Sequence, residues 1–236
     1  WLLDPRPNLP SIVKAVEDGF ELSEATNTPV MLEVRIRACH VHGRFIAKDN
    51  RPPPMTVEDA INNPQRDLNR IVLPPASFNH EQEKITHRWP AATKFIAEHK
   101  LNEFFEGDVD DLGIILQGGM YNGVLQGLRK LGLADVQGNT RIPLYVMNVT
   151  YPLMDEELTR FCADKKAVLM VEEGQPNYLE QATNAILRKG DVQTPLYGKD
   201  CLPPAGEYTA AAMLSGLRKF LGETRPELVD DVADDG

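Results

Sequence analysis

The chain has 236 residues, 42% of them apolar and 25% charged, and a formal net charge of −10. Whole-chain disorder is excluded, because a chain of this length and composition buries roughly 70–75% of its unfolded surface without disulfides or metals. The acidic balance argues against nucleic acid or anionic membrane as partners, since both reward basic surfaces, and no apolar run approaches the ~20 residues needed to span a bilayer.

The chain opens at Trp1 without a basic leader and closes on an acidic run, residues 225–236, that reads as a solvated tail. The simplest expectation is a segment of a longer protein. Residues 11–26 read as a helix, with Ile12, Val13, Val16 and Phe20 at helical spacing and Pro10 and Ser11 as start signals. Asn27-Thr28-Pro29 ends it, and residues 30–36, rich in β-branched side chains, read as a strand. Residues 1–45 are thus half of an α/β unit. Residues 46–78 lose all periodicity and carry Arg51-Pro52-Pro53-Pro54, Asn62-Asn63-Pro64 and Leu73-Pro74-Pro75, the mark of an extended connector. Few contacts are expected to cross it. A strand left without its own sheet exposes unpaired backbone groups and seeks another edge, on the second domain or on a neighbouring chain.

Residues 79–224 are regular. A long helix is expected over 80–105, kinked or delayed by Pro90 and marked by Phe95, Ile96, Leu101, Phe104 and Phe105. Strands follow at 112–117, 142–147, 167–171 and 194–197, the last an edge strand because of Pro195. Helices separate them at 120–131, 155–163 and 178–187, and a last one spans 207–221. The alternation predicts a mostly parallel sheet covered by helices on both faces.

Few residues suggest chemistry. Gly118-Gly119 stands where a strand feeds a helix; it is either a tight βα turn or an anion site using free N–H groups at the helix start. Gly107-Asp108-Val109 and Gly190-Asp191-Val192 lack the closing glycine of a thiamine diphosphate magnesium motif and are rejected as metal sites. His40 and His42 alternate on an extended segment and point opposite ways, so no metal site is expected. The three cysteines, Cys39, Cys162 and Cys201, are odd in number and widely spaced; they offer no zinc knuckle, cluster loop or disulfide framework, and a reducing cytoplasm is expected. Glu172-Glu173 ends the third strand, where the pair either does acid/base work or leaves Glu173 near the next helix start to favour its dipole. Arg37-Ala38-Cys39-His40 follows the first strand; the arginine fork suits a carboxylate there, or Arg35 and Arg37 simply face solvent.

Two stretches together resemble the 2-oxoacid:ferredoxin oxidoreductases, and within them the large subunits of the indolepyruvate branch. Leu3-Asp4-Pro5, Leu22-Ser23-Glu24, Thr28-Pro29-Val30-Met31-Leu32 and Arg37-Ala38-Cys39-His40 resemble the end of that family's pyrimidine-binding domain. Gln117-Gly118-Gly119-Met120-Tyr121-Asn122, Asn148-Val149-Thr150-Tyr151-Pro152-Leu153, Val168-Leu169-Met170-Val171-Glu172-Glu173, Glu180-Gln181, Tyr197-Gly198-Lys199 and Gly206-Glu207 resemble the transketolase C-terminal-like domain that follows. The resemblance implies a three-layer α/β domain with a mostly parallel sheet, preceded by a helix–strand remnant of another α/β domain. It also places Arg37 and His40 beside a substrate carboxylate.

For the full-length enzyme the resemblance implies thiamine diphosphate, magnesium and iron–sulfur clusters as cofactors. Its partners would be other domains of the same subunit, a second subunit, ferredoxin and coenzyme A, within a homo-oligomer. The family's catalytic glutamate would precede Trp1, and its pyrophosphate-binding domain would follow Gly236. This segment alone is therefore expected to be inactive and to carry no cofactor. Two alternatives stand beside this: a component of a transketolase or 2-oxoacid dehydrogenase, and a non-enzymatic anion- or nucleotide-binding module built on the Gly118-Gly119 turn.

Overall fold

The computed structural model describes residues 1–65 and 71–229. Most of the acidic run (230–236) and part of the connector (66–70) lie outside them. The chain opens with β1 (Leu2–Leu3), α1 (Leu9–Thr26) and β2 (Met31–Leu32). Asn8 caps α1 by accepting from the Ser11 N–H at 3.0 Å, so the helix starts just before the expected Pro10-Ser11 signal. It ends on Asn27 in the left-handed region, φ 49°.

The expected strand over 30–36 is only two residues long. Its partner β1 offers two residues before the chain turns at Asp4-Pro5, and the last ladder bond runs from the Glu33 N–H to the Leu3 carbonyl, 2.8 Å. Val34 onward has no partner, and Ile36–His40 winds instead into a 3₁₀ turn.

The described part of the connector is largely exposed and contains a short helix, α2 (Val57–Asn62), held by a reciprocal Thr56–Asp59 capping box. The next helical stretch is α3 (Ala76–Glu83), a π-turn over Lys84–Arg88, and α4 (Trp89–Glu98). Pro90 follows the π-turn directly, inside a continuous helical run, and the wider turn accommodates the residue that has no N–H to donate. The stretch does not reach Phe105. Helix α4 gives way at His99-Lys100, and Glu103–Phe105 forms β3, antiparallel to a strand of the main sheet. Phe104 thereby stacks on Tyr145, ring centroids 4.6 Å apart, a contact that overrides the helical spacing.

The remaining elements are β4 (Leu112–Gln117), α5 (Tyr121–Lys130), β5 (Leu144–Met147), β6 (Val149–Tyr151), α6 (Asp155–Cys162), β7 (Ala167–Val171), α7 (Tyr178–Lys189), β8 (Leu196–Tyr197) and α8 (Ala210–Thr224). The main sheet has the order β3-β5-β4-β7-β8 and is parallel except for β3. Strands β4, β5 and β7 are buried along their whole length, which is why they read as unbroken apolar runs. Ile114, Leu116, Leu144, Val146, Leu169 and Val171 face α5 and α8, while Ile115, Tyr145, Met147, Val168 and Met170 face Leu158, Phe161 and Leu187 of α6 and α7. The three-layer α/β architecture is the one expected.

The contact between residues 1–45 and 79–224 is extensive where little was expected. β1 pairs with β6 as well as β2, giving a second sheet of order β2-β1-β6. Around it lies a third core of Trp1, Leu3 and Leu22 with Ala92, Ile96, Leu101, Val149 and Met154. The orphan strand finds its edge on the second stretch, and the connector bridges two halves that share buried apolar surface. Leu22→Ala removes a fully buried side chain from this shared core and should lower unfolding free energy by about 2–5 kcal/mol. Urea unfolding followed by tryptophan fluorescence and by far-UV circular dichroism should give coincident midpoints, both shifted.

Candidate functional site

In open α/β sheets the carboxyl ends of the strands are where ligands bind. Here they are Gln117 at the end of β4, Asn148 after β5 and Glu172-Glu173 after β7. The chain's own opening segment lies across them. The Asp4 N–H donates to the Asn148 carbonyl at 2.8 Å, and the Arg6 N–H donates to Asn148 Oδ1 at 3.0 Å. Asp4 is 1% exposed. Its Oδ1 accepts from the Gly119 N–H at 3.1 Å and its Oδ2 from Arg35 Nη2 at 2.8 Å. Burial pushes its carboxyl above the ordinary value, outweighing the Arg35 charge and the hydrogen bonds from Arg35 and Gly119.

This explains the double glycine. A Cβ on Gly118 would lie 1.9 Å from the Asp4 carbonyl oxygen, and one on Gly119 would lie 2.3 Å from Arg35 Nε. Gly118 is required by the backbone of Asp4 crossing it, and Gly119 by the Arg35 and Asp4 side chains that meet over it. The anion at this βα turn is the protein's own Asp4 carboxylate.

Arg35, with 12% of its side chain exposed, joins Asp4 to Glu173 Oε2, 2.7 Å from its Nη1. Glu173 Oε1 accepts from Arg37 Nη2 at 2.7 Å and from the Tyr208 N–H at 2.6 Å, while the Glu173 N–H donates to Gln117 Oε1. Arg37 also donates to the Tyr208 carbonyl at 2.8 Å, and its Nε lies 3.2 Å from Glu207. The carboxylates its fork reaches belong to this chain, neither Arg35 nor Arg37 merely faces solvent, and Arg37 lies within the 3₁₀ turn Ile36–His40 rather than at a strand end. His40 is exposed at the end of that turn.

The two glutamates have separate tasks. Glu172, buried, accepts the Leu179 and Glu180 N–H groups at 3.0 Å each, so it and not Glu173 serves the first turn of α7. Lys199 donates to the Glu172 and Gly174 carbonyls and to the Tyr208 hydroxyl. Burial and the charges of Glu173, Glu172 and Glu180 push the Tyr208 hydroxyl up to about 12.

A second junction lies beside the first. Arg6 grips Glu103 through two hydrogen bonds, 2.6 and 2.7 Å, and Asn148 Nδ2 donates to the same carboxylate. Burial raises the Glu103 pKa, but the hydrogen bonds from Arg6 and Asn148 and the Arg6 charge outweigh it and hold the carboxyl below its ordinary value. Asp4, Arg35, Arg6 and Glu103 are the residues that sequence reasoning undervalued. The Gly118-Gly119 pair was the available signal, since two adjacent glycines outside a helix imply a close backbone approach.

No group of three or more His, Cys, Asp or Glu side chains among the described residues could hold a metal ion, and no described helix is long and apolar enough to cross a membrane. Cys39 is exposed while Cys162 and Cys201 are buried, and burial pushes their thiols up to about 12 and about 11. Asp108 pairs with Arg141 at 3.0 Å, and a Cβ on Gly107 would lie 2.3 Å from the Arg141 carbonyl oxygen, so this glycine serves a close backbone approach.

No family model matches the chain. It is homologous to part of the indolepyruvate oxidoreductase subunit IorA of Methanothermobacter thermautotrophicus, at 26% identity over 226 residues, 94% of this chain and 34% of the relative. The corresponding subunit of Methanothermobacter marburgensis is 27% identical over 237 residues, 96% of this chain and 36% of the relative. That of Pyrococcus horikoshii is 26% identical over 226 residues, 92% and 33% respectively. The chain thus spans about a third of the length of the curated relatives it matches. Among solved structures, a 2-oxoglutarate:ferredoxin oxidoreductase from Magnetococcus marinus, with 2-oxoglutarate, coenzyme A and succinyl-CoA bound, shares the fold. The TM-score is 0.55 at 16% identity, covering 92% of this chain and 41% of that one.

The geometry ranks the two arginines. Arg35→Ala leaves the buried Asp4 carboxylate with only the Gly119 N–H and should cost about 3–5 kcal/mol. Arg37→Ala, at a side chain 45% exposed, should cost less than about 1 kcal/mol. Urea denaturation of both variants checks the order. Glu103 adds a pH dependence. Its folded pKa lies below the unfolded value, so its stabilisation is present above the ordinary 4.5 and is lost as pH falls through the lower folded value. Glu103→Gln should therefore lose less stability than the parent over that acid interval, measured by midpoints at stepped pH.

Proposed function

We propose that the chain is a non-catalytic structural segment of the large subunit of a 2-oxoacid:ferredoxin oxidoreductase of the indolepyruvate branch. The complete enzyme would oxidatively decarboxylate a 2-oxoacid to an acyl-CoA and pass the electrons to ferredoxin. One observation carries the structural role. The carboxyl end of the parallel sheet, the usual ligand position, is filled by Asp4 and Arg35 of the same chain. The same fact weighs against an anion- or nucleotide-binding module, because the Gly119 N–H already serves Asp4. The relatives' names favour this branch over a transketolase or a 2-oxoacid dehydrogenase component.

The described residues do not fit thiamine diphosphate, its magnesium ion or an iron–sulfur cluster: Asp108 is spent on Arg141, and two of the three cysteines are buried apart in the two separate cores of the α/β domain. Those groups belong to other parts of the full-length enzyme. A second subunit, ferredoxin and coenzyme A are its further partners, in a cytoplasmic homo-oligomer. Residues 46–78 divide the segment into a pyrimidine-domain end and a transketolase C-terminal-like domain, which the β1–β6 pairing and the Arg35 and Arg6 bridges hold in one orientation.

A second reading rests on the half-exposed Arg37 side chain and the exposed His40 beside it: the pair lines the substrate channel of the assembled enzyme and meets the 2-oxoacid carboxylate. Two measurements decide. The 236-residue chain alone should show no 2-oxoacid- and coenzyme A-dependent reduction of ferredoxin, whereas the full-length subunit with its partner should; turnover by the chain alone overturns the structural role. In the complete enzyme, Arg37→Lys should lower kcat/KM by roughly a hundredfold or more if Arg37 grips the substrate. Unchanged kcat/KM with an unchanged melting temperature leaves Arg37 only its contacts with Glu173, Glu207 and Tyr208.

A further inference from the structure

A cavity of about 120 Å³ lies at the joint between the two halves of the chain. Leu3 and Pro5 of the opening segment, Ala15 of α1, Leu101 after α4 and Val149 of β6 line it, and all five are buried, so they form its inner wall. Water held against such a wall finds few hydrogen-bond partners, and the volume is close to the roughly 150 Å³ of an apolar cavity that takes up benzene. The mouth has a different character. Lys14 and Lys100 line the same cavity and are exposed, and Ser11, Asp18 and Glu103 lie between wall and solvent. Asp18 accepts from Lys14, and Glu103 is held by Arg6. Lys100 is left without an ion pair among the described residues, and the Ser11 hydroxyl without a hydrogen-bond partner among them. With Arg6 counted, three cations face two anions here, on a chain whose net charge is −10.

We propose that this cavity is a binding site for a small organic monoanion, a carboxylate of about benzoate's size, with its ring against Leu3, Ala15, Leu101 and Val149 and its carboxylate between Lys14, Lys100 and the Ser11 hydroxyl. Charge decides the head of the ligand. Both carboxylates at the mouth are already paired, whereas Lys100 and Ser11 offer free donors, so an added acceptor is favoured and an added cation is not. Volume decides the body: one ring fills the space between the apolar walls, and a fused pair of rings exceeds it. Such a ligand touches the opening segment and α1 on one side and Leu101 and Val149 on the other. It therefore binds only while the two halves are joined, and it stabilises the joint by mass action. The site uses residues of this chain alone and does not rest on the reading of the complete enzyme.

The test titrates the 236-residue chain with benzoate at low salt and follows amide chemical shifts. Saturable shifts centred on Leu3, Ser11, Ala15, Leu101 and Val149 are expected, with a dissociation constant on the order of 1 mM or below. Benzyl alcohol keeps the ring without the charge and should bind about fivefold more weakly. Acetate keeps the charge without the ring and should give no saturable shift over the same range. Ala15→Leu fills the cavity and should abolish benzoate binding. Lys100→Glu, at an exposed position where the fold is retained, should weaken it about fivefold. Absence of a saturable shift with benzoate overturns the proposal, as does binding that Lys100→Glu leaves unchanged, whether or not Ala15→Leu folds. Equal affinity for benzyl alcohol removes the carboxylate head, equal affinity for acetate removes the apolar body, and either result overturns the site as proposed.

Discussion

The Arg35 guanidinium is the constraint on which the arrangement of the two halves depends. It lies between the Asp4 carboxylate, which is taken out of water, and Glu173 at the carboxyl end of β7. Asp4 in turn binds the Gly119 N–H at the head of α5. Three parts of the chain distant in sequence therefore meet at one cation: the opening segment through Asp4, the turn after β2 that carries Arg35, and the carboxyl end of β7 through Glu173. Removing Arg35 leaves the buried Asp4 carboxylate with only the Gly119 N–H, so Asp4, the Gly118-Gly119 turn and the segment that carries Arg35 form one unit.

Much of the architecture was legible because of how its strands are buried. β4, β5 and β7 lie between two helical layers, so each reads as an apolar run, and the helices between them show one apolar stripe each. What was not legible depends on partners far away in sequence. The length of β2 is set by the two residues β1 offers, and nothing local to residues 30–36 records that. Phe104 and Phe105 sit at spacings a helix could use, but stacking on Tyr145 and pairing with β5 decide for a strand. The capping box at Thr56 and Asp59 was local and readable, yet prolines dominated that region.

The candidate site shows the same division. Glu172-Glu173 and Gly118-Gly119 were found as positions, because strand ends and βα turns can be located from periodicity. Their tasks were not, because a carboxylate's role depends on which cation or N–H group lies across from it. Glu172 takes the start of α7 and Glu173 takes two arginines. Arg35 and Arg37 differ by two residues and look equivalent in sequence, yet one is nearly enclosed and the other half exposed.

The distribution of charge and apolar surface follows a physical logic. A buried ion pair adds little net stability over an apolar substitute, since desolvation offsets most of the attraction. The stability of the joint comes from Trp1, Leu3, Leu22, Ile96 and Val149. What Asp4, Arg35 and Glu173 add is direction: a planar guanidinium with two carboxylates on its two terminal nitrogens admits far fewer relative placements than an apolar contact does. Arg6 and Glu103 repeat the device at the end of β5, next to Asn148. Two bridges of this kind, on either side of the strand ends, prevent the opening segment from sliding or rotating over the sheet. A joint of this kind needs no catalytic group of its own. It fixes how the opening segment, and with it β1 and β2, stands relative to the main sheet.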